Sequence, residues 1–231
     1  MPDWRRSLQI GALIIAGESV FLLPFVMARI FRPTLLDVLG LTNLQLGSAY
    51  AVYGVVAMLA YFPGGPLADR FPARDLLAAA LAATACGGLV YASLPDMQTI
   101  TLMYAFWGLT TVLLFWAALI RATREWGGCK QQGTAFGLLD GGRGILAAIM
   151  ALVLVYVFST LLPVEPATAT IAERTEAMRS IILIVTAWVF VAALIAWFVV
   201  PEPKGNVEAS VATRIRLCLL YTSPSPRDDQ T

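Results

Sequence analysis

Six uninterrupted apolar stretches, each about as long as a bilayer's hydrocarbon core is thick, decide what this chain can fold into. They cover roughly residues 8–28, 44–66, 76–94, 99–120, 133–162 and 180–200. A helix needs about 20 residues to cross, whereas a barrel strand needs about 10 and alternates in polarity. Length therefore selects helices where periodicity alone leaves buried strands open. Of 231 residues, 58% are hydrophobic and 13% charged, against about 25% charged in an average soluble domain. A soluble fold of this size lacks the interior to hide so much apolar surface, so lipid takes the role of core. The expected fold class is an all-α membrane protein with six transmembrane helices.

The same composition narrows the function. A net charge of +1 gives no electrostatic footprint for nucleic acid. Histidine is absent, which removes the usual general base and the commonest metal ligand. Cys86, Cys129 and Cys218 are isolated, without disulfide or metal-knuckle spacing. A membrane enzyme needs a nucleophile and a base within reach, so the chain reads as a non-enzyme, with no metal and no cofactor expected. No glycine-lysine phosphate loop points to ATP. Arg5 and Arg6 precede an apolar run too long for a cleaved signal. Arg5, Arg6, Arg70, Arg74, Arg121, Arg124, Lys130 and Lys204 fall on one side of the six spans, and Arg29, Arg32, Arg174 and Arg179 on the other. The positive-inside rule then places both ends in the cytoplasm.

The loop after the second stretch reads Gly65-Pro-Leu67-Ala-Asp69-Arg70-Phe-Pro72-Ala73-Arg74. Read alone, it is a charged turn at a membrane boundary. Gly65, Leu67, Asp69, Arg70 and Arg74 fit the G-x-L-a-D-R-x-G-R-[RK] signature of the major facilitator superfamily in the same loop, which the chain resembles over residues 1–205. Pro72 and Ala73 depart from that signature. The resemblance implies the N-terminal half of a twelve-helix secondary transporter in a bacterial-type inner membrane. It also implies alternating access by two six-helix halves around a midplane site, and a loop that latches the halves together. Expected partners are membrane lipid, a small-molecule substrate, a coupling ion or counter-substrate, and a C-terminal six-helix half. Residues 206–217 then begin a central cytoplasmic loop. Residues 218–231 are unlike the rest: Cys218-Leu-Leu-Tyr-Thr-Ser-Pro-Ser-Pro-Arg-Asp228 resembles a translated library adaptor. That tail is expected to be an artefact on a truncated gene.

Charges inside the apolar stretches are the candidate site. Such groups are costly in lipid and face a cavity or a partner. Glu18 lies near the middle of the first stretch, on one helical stripe with Gly11, Phe25 and Arg29. It is placed either to hydrogen-bond a neighbouring helix or to carry a coupling proton. Arg29 either snorkels at the interface or grips an anion, as the resemblance to the first-helix arginine of organophosphate antiporters implies. Asp140 and Arg143 are three apart and meet on one helix surface. A helix starting near Gly133 puts Arg143 about 15 Å deep, and one starting near Asp140 leaves both charges interfacial. Gly133, Gly137, Gly141 and Gly144 form a strip suited to close helix packing, against the second half or within the first. Tyr104 stands where proton antiporters of the family carry an arginine before Gly108, and the second stretch lacks the nitrate porters' arginine. Both departures weigh against those substrates. The expected function is secondary transport of a small solute, with an organic anion suggested by Arg29 and Arg143. A non-transporting six-helix assembly or sensor is the alternative.

Overall fold

The structure is a computed structural model that describes residues 3–128, 130–162 and 168–201. Among the described residues six helices are long and apolar enough to cross a membrane: Trp4–Ile30 (span 1), Asn43–Arg70 (span 2), Ala73–Ala92 (span 3), Met97–Gly127 (span 4), Gln132–Leu161 (span 5) and Ile171–Val199 (span 6). No strand occurs among the described residues. The chain is an all-α, multi-pass membrane protein. Cys129, Lys204, Cys218, the loop 206–217 and the adaptor-like tail 218–231 lie outside the described residues.

Local side-chain chemistry fixes where the helices begin. Spans 2, 4 and 6 all start on the side opposite the N-terminus, and each is capped. Thr42 Oγ1 accepts from the Gln45 N–H at 3.2 Å while Gln45 Oε1 accepts from the Thr42 N–H at 2.8 Å. Thr170 and Glu173 repeat this reciprocal box at 3.3 and 2.8 Å. The Asp96 carboxylate accepts from the Thr99 hydroxyl at 2.6 Å and the Thr99 N–H at 3.3 Å. Those bonds, the hydroxyl's foremost, hold the Asp96 carboxyl below its ordinary range. Each cap satisfies amides that a helix start leaves without partners. Spans 3 and 5 start on the other side from Pro72 and Gln131, without a side-chain cap.

The helices outrun the apolar stretches that announce them. Span 6 begins at Ile171, well before Ser180, because hydropathy registers only the lipid-crossing part. Its polar turns are tied down by ion pairs of Arg179 with Glu176 and of Arg174 with Asp37, both at 3.4 Å. A helix unforeseen in the sequence, Arg32–Leu39, joins spans 1 and 2. It ends at Gly40, whose φ of 62° suits a residue without Cβ. Leu41 N–H donates to Leu36 O at 2.9 Å and Gly40 N–H to Asp37 O at 3.3 Å, the paired bonds of a Schellman stop.

Span 3 packs along span 6, span 2 along span 4, and span 1 against both 5 and 6. Span 1 is mostly buried, whereas spans 2 and 5 leave most of their surface open. Two π-helical turns interrupt the spans, Leu22–Val26 in span 1 and Thr110–Trp116 in span 4. Pro24 sits in the first and has no N–H to give a regular ladder. Such turns widen a helix and recur at functional sites.

Spans 2 and 4 touch through backbone at Gly108, where an added Cβ would lie 2.7 Å from the Tyr53 carbonyl oxygen. A backbone atom cannot swing aside. Gly108→Ala is therefore expected to destabilise the bundle by about 1–3 kcal/mol, the usual cost of overpacking. Gly54→Ala, where a Cβ meets nothing within 4 Å, should be near neutral. Denaturant unfolding of the two variants in detergent compares them, and equal midpoints would contradict the close crossing.

Candidate functional site

Spans 1, 2, 4 and 5 surround a cavity of about 620 Å³. All four charges that stand out in the sequence line it: Glu18 and Arg29 from span 1, Asp140 and Arg143 from span 5. Span 5 is helical from Gln132, so Arg143 lies about 16 Å along it at 1.5 Å per residue. Glu18 is close to the middle of span 1 and only 8% exposed.

Arg143 is the hub. Its Nε lies 3.8 Å from Glu18 Oε2, and its Nη1 lies 3.4 Å from Asp140 Oδ1. The guanidinium also sits over the rings of Phe21 at 5.7 Å and Trp116 at 5.8 Å, where the negative π faces favour a cation. The Asp140 side chain is 69% exposed and that of Glu18 10%. One arginine thus bridges an interior carboxylate and a cavity-facing one. Coulomb attraction between such charges grows as water is excluded, so Glu18 feels Arg143 through less screening, although the shorter, hydrogen-bonded contact is with Asp140. Its Nε is buried without a hydrogen bond, so Glu18 is within ion-pair reach but not clamped. Arg29 differs, being exposed toward the cavity. Among the described residues no carboxylate forms an ion pair with it.

Hydroxyl contacts that sequence reasoning missed hold the cavity wall. Thr111 Oγ1 donates to Trp107 O at 2.6 Å. Its lone pair is then free to accept from Tyr53 OH, 2.6 Å away. Tyr104 OH donates to Pro24 O at 2.9 Å, which pins the π-helical turn of span 1. Trp188 Nε1 donates to Ser19 Oγ at 2.9 Å, tying span 6 behind Glu18. Buried polar groups need partners, yet which hydroxyl meets which carbonyl across 80 residues leaves no trace in local sequence.

The Gly65–Arg74 motif, expected in a loop, instead occupies the last turns of span 2 and the first turn of span 3, with only Phe71 and Pro72 between, and it lies apart from the cavity. Gly65, Asp69 and Arg70 are exposed. Arg74 pairs with Asp75 at 3.3 Å and stacks on Trp197 of span 6 at 4.8 Å. The junction is held by Arg121 of span 4, whose Nη1 donates to the carbonyls of Ala68 and Phe71 while its Nε pairs with Glu125 at 2.8 Å. Arg121 is a residue the sequence reading counted only as charge.

The glycines of span 5 divide in two. At Gly133, Gly137, Gly141 and Gly144 an added Cβ would meet nothing within 4 Å. At Gly142, which the four-residue spacing skips, it would fall 2.5 Å from Ile14 Cδ1 of span 1. The described six-helix body therefore makes its close approach through Gly142, and the strip faces open space.

Comparison with known proteins adds an independent line. The sequence profile described as Major Facilitator Superfamily matches residues 10–222. The chain is 24% identical over 200 residues to Inner membrane protein YqcE of Escherichia coli (strain K12), covering 87% of this chain and 45% of that protein. It is 29% identical over 147 residues to Inner membrane protein YihN of the same organism, covering 64% of this chain and 35% of that protein. The chain thus spans less than half the length of these curated relatives. A profile match over most of the sequence, joined to six apolar helices and the signature-like motif at 65–74, places the chain in a family: it belongs to the major facilitator superfamily.

Proposed function

We propose that this chain forms the N-terminal wall of a secondary transporter that moves a small solute across a bacterial-type inner membrane by alternating access. Family membership supports solute transport in general and weighs against an enzyme. The observation that carries the finer reading is the cavity of about 620 Å³, in which Arg143 is shared by Glu18 and Asp140 while Arg29 faces the opening with no carboxylate partner among the described residues. A solute with an anionic group is the fitting ligand for Arg29, whose planar fork matches carboxylate or phosphate oxygens. Glu18, paired with Arg143 and screened from water, is the fitting carrier of a coupling proton or the trigger of exchange. A second six-helix half completes the cavity, in line with the relatives' greater length. The open strip at Gly133, Gly137, Gly141 and Gly144 and the junction motif of Gly65, Asp69, Arg70 and Arg74 are its contact surfaces in this reading.

Both termini of the six-span unit face the cytoplasm in this proposal, on the strength of the Lys and Arg distribution. Reporter fusions after Leu94 and Leu162 should read periplasmic, and fusions after Asp75 and Lys130 cytoplasmic. The inverse pattern would overturn the orientation.

Transport is tested with the full-length protein in everted membrane vesicles, by following a pH-sensitive dye as small carboxylates and phosphate esters are added. A responding compound defines the substrate class. Glu18→Gln removes the titratable group at nearly constant shape, so it should abolish pH-driven uptake and spare counterflow exchange. Arg29→Gln should raise KM about tenfold or more with little loss of expression, since hydrogen-bonded charge contacts contribute about 1.5–3 kcal/mol. Normal uptake across pH by both variants would overturn the assignment.

A further inference from the structure

Arg143 reaches Glu18 only because something on span 1 is missing. Ile14, Gly17, Glu18 and Phe21 stand at i, i+3, i+4 and i+7, one face of the helix, and that face meets span 5. A Cβ added at Gly17 would lie 2.9 Å from Arg143 Cδ and 3.2 Å from its Nε. Real Cβ atoms essentially never come as close as the first of these. The nearest other atom is Leu119 Cδ2 at 3.4 Å, an ordinary contact, and no backbone atom of span 5 is among the three nearest. Gly108 offers the contrast, since its absent side chain makes room for the Tyr53 backbone. Gly17 makes room for one side chain. The fit is reciprocal: Ile14 of span 1 enters the space over Gly142, the residue before Arg143.

We propose that Gly17 is a positioning residue, a notch through which the Arg143 stem crosses span 1 so that its guanidinium lies beside Glu18, against the paired rings of Phe21 and Trp116. The inference deepens the transport reading, because it rests on the Glu18–Arg143 pair mattering for coupling. The physical claim is narrower and separately testable. A methyl group at position 17 occupies the path of the stem. Because an arginine side chain is flexible, the arginine gives way and the helix does not. Its guanidinium then leaves Glu18 and moves toward Asp140 on its own helix. Arg29, Asp140, Tyr53 and Tyr61 are the other charged or titratable groups lining the cavity, and none of them is among the atoms nearest the notch.

The test uses the full-length protein, purified in detergent, with thermal unfolding as the first measurement. Gly17→Ala should lower Tm when Arg143 is present and leave it unchanged, or raise it, in an Arg143→Ala background where the stem is gone. The second comparison stands even if Gly17→Ala alone folds poorly. A double-mutant cycle of Glu18→Gln with Arg143→Gln should be non-additive in the native background and additive in the Gly17→Ala background, because coupling needs contact. Gly11→Ala, where a Cβ meets nothing within 4 Å, should keep the cycle non-additive. Once a solute is in hand, Gly17→Ala should move the pH profile of uptake toward that of Arg143→Gln, a shift that a purely structural glycine would not produce. An equal Tm loss from Gly17→Ala with and without Arg143 would overturn the notch. Suppression in the Arg143→Ala background, with uptake indifferent to Gly17, Glu18 and Arg143 alike, would uphold the notch and overturn the transport role of the pair.

Discussion

A guanidinium about three turns into an apolar helix is the constraint around which this bundle is arranged. An arginine within a membrane helix is costly, up to about 2.5–3.5 kcal/mol at the centre on insertion scales. The most apolar 18 residues of span 5 have a mean hydropathy of 2.4, and each aliphatic residue returns only about 0.3–0.6 kcal/mol. The span can therefore insert, but Arg143 has to find counter-charge. It finds Asp140 on its own helix and Glu18 on span 1, and lies over the rings of Phe21 and Trp116. Span 1 must approach span 5 closely for this, and Gly142 and Gly17 are the places where it does. The charge, the glycines and the crossing form one arrangement.

That arrangement leaves a cavity whose wall has an irregular backbone. The π-helical turns at Leu22–Val26 and Thr110–Trp116 both contribute to the lining, through Phe25 and Val26 on one side and Thr111, Val112 and Trp116 on the other. A π turn leaves carbonyls without their regular partners. Tyr104 bonds the Pro24 carbonyl within the first turn, and Thr111 of the second bonds the Trp107 carbonyl one turn before it. Span 2 approaches the same region: a Cβ on Gly64 would lie 3.4 Å from the Val112 and Leu113 carbonyl oxygens. The cavity is thus bordered by segments whose helical hydrogen bonding is already altered.

The fold was largely legible in the sequence because lipid makes hydropathy nearly sufficient. An apolar run of about 20 residues has few alternatives to a helix, and six of them left little to arrange at the level of class. Glu18, Arg29, Asp140 and Arg143 were legible for the complementary reason, since a charge within such a run stands out against its surroundings. Their convergence on one cavity was not, because it depends on which faces of spans 1 and 5 meet. Glycine was the least legible residue. The regular spacing of Gly133, Gly137 and Gly141 drew attention, whereas Gly17 and Gly142, which the described packing uses, have no spacing to mark them. The Arg32–Leu39 helix and the hold of Arg121 on the junction at 68–71 depend on partners distant in sequence.

Alternating access requires the Glu18–Arg143 cavity to be a water-accessible path within the membrane. Thiol accessibility tests it most directly, in a full-length variant with its native cysteines replaced. A cysteine at Ala147, which lines the cavity, should react with a membrane-impermeant methanethiosulfonate added from one side. A cysteine at Ile184, on the exposed outer face of span 6, should stay unreactive in the same membranes. Silence at position 147, or equal labelling at both positions, would contradict the account.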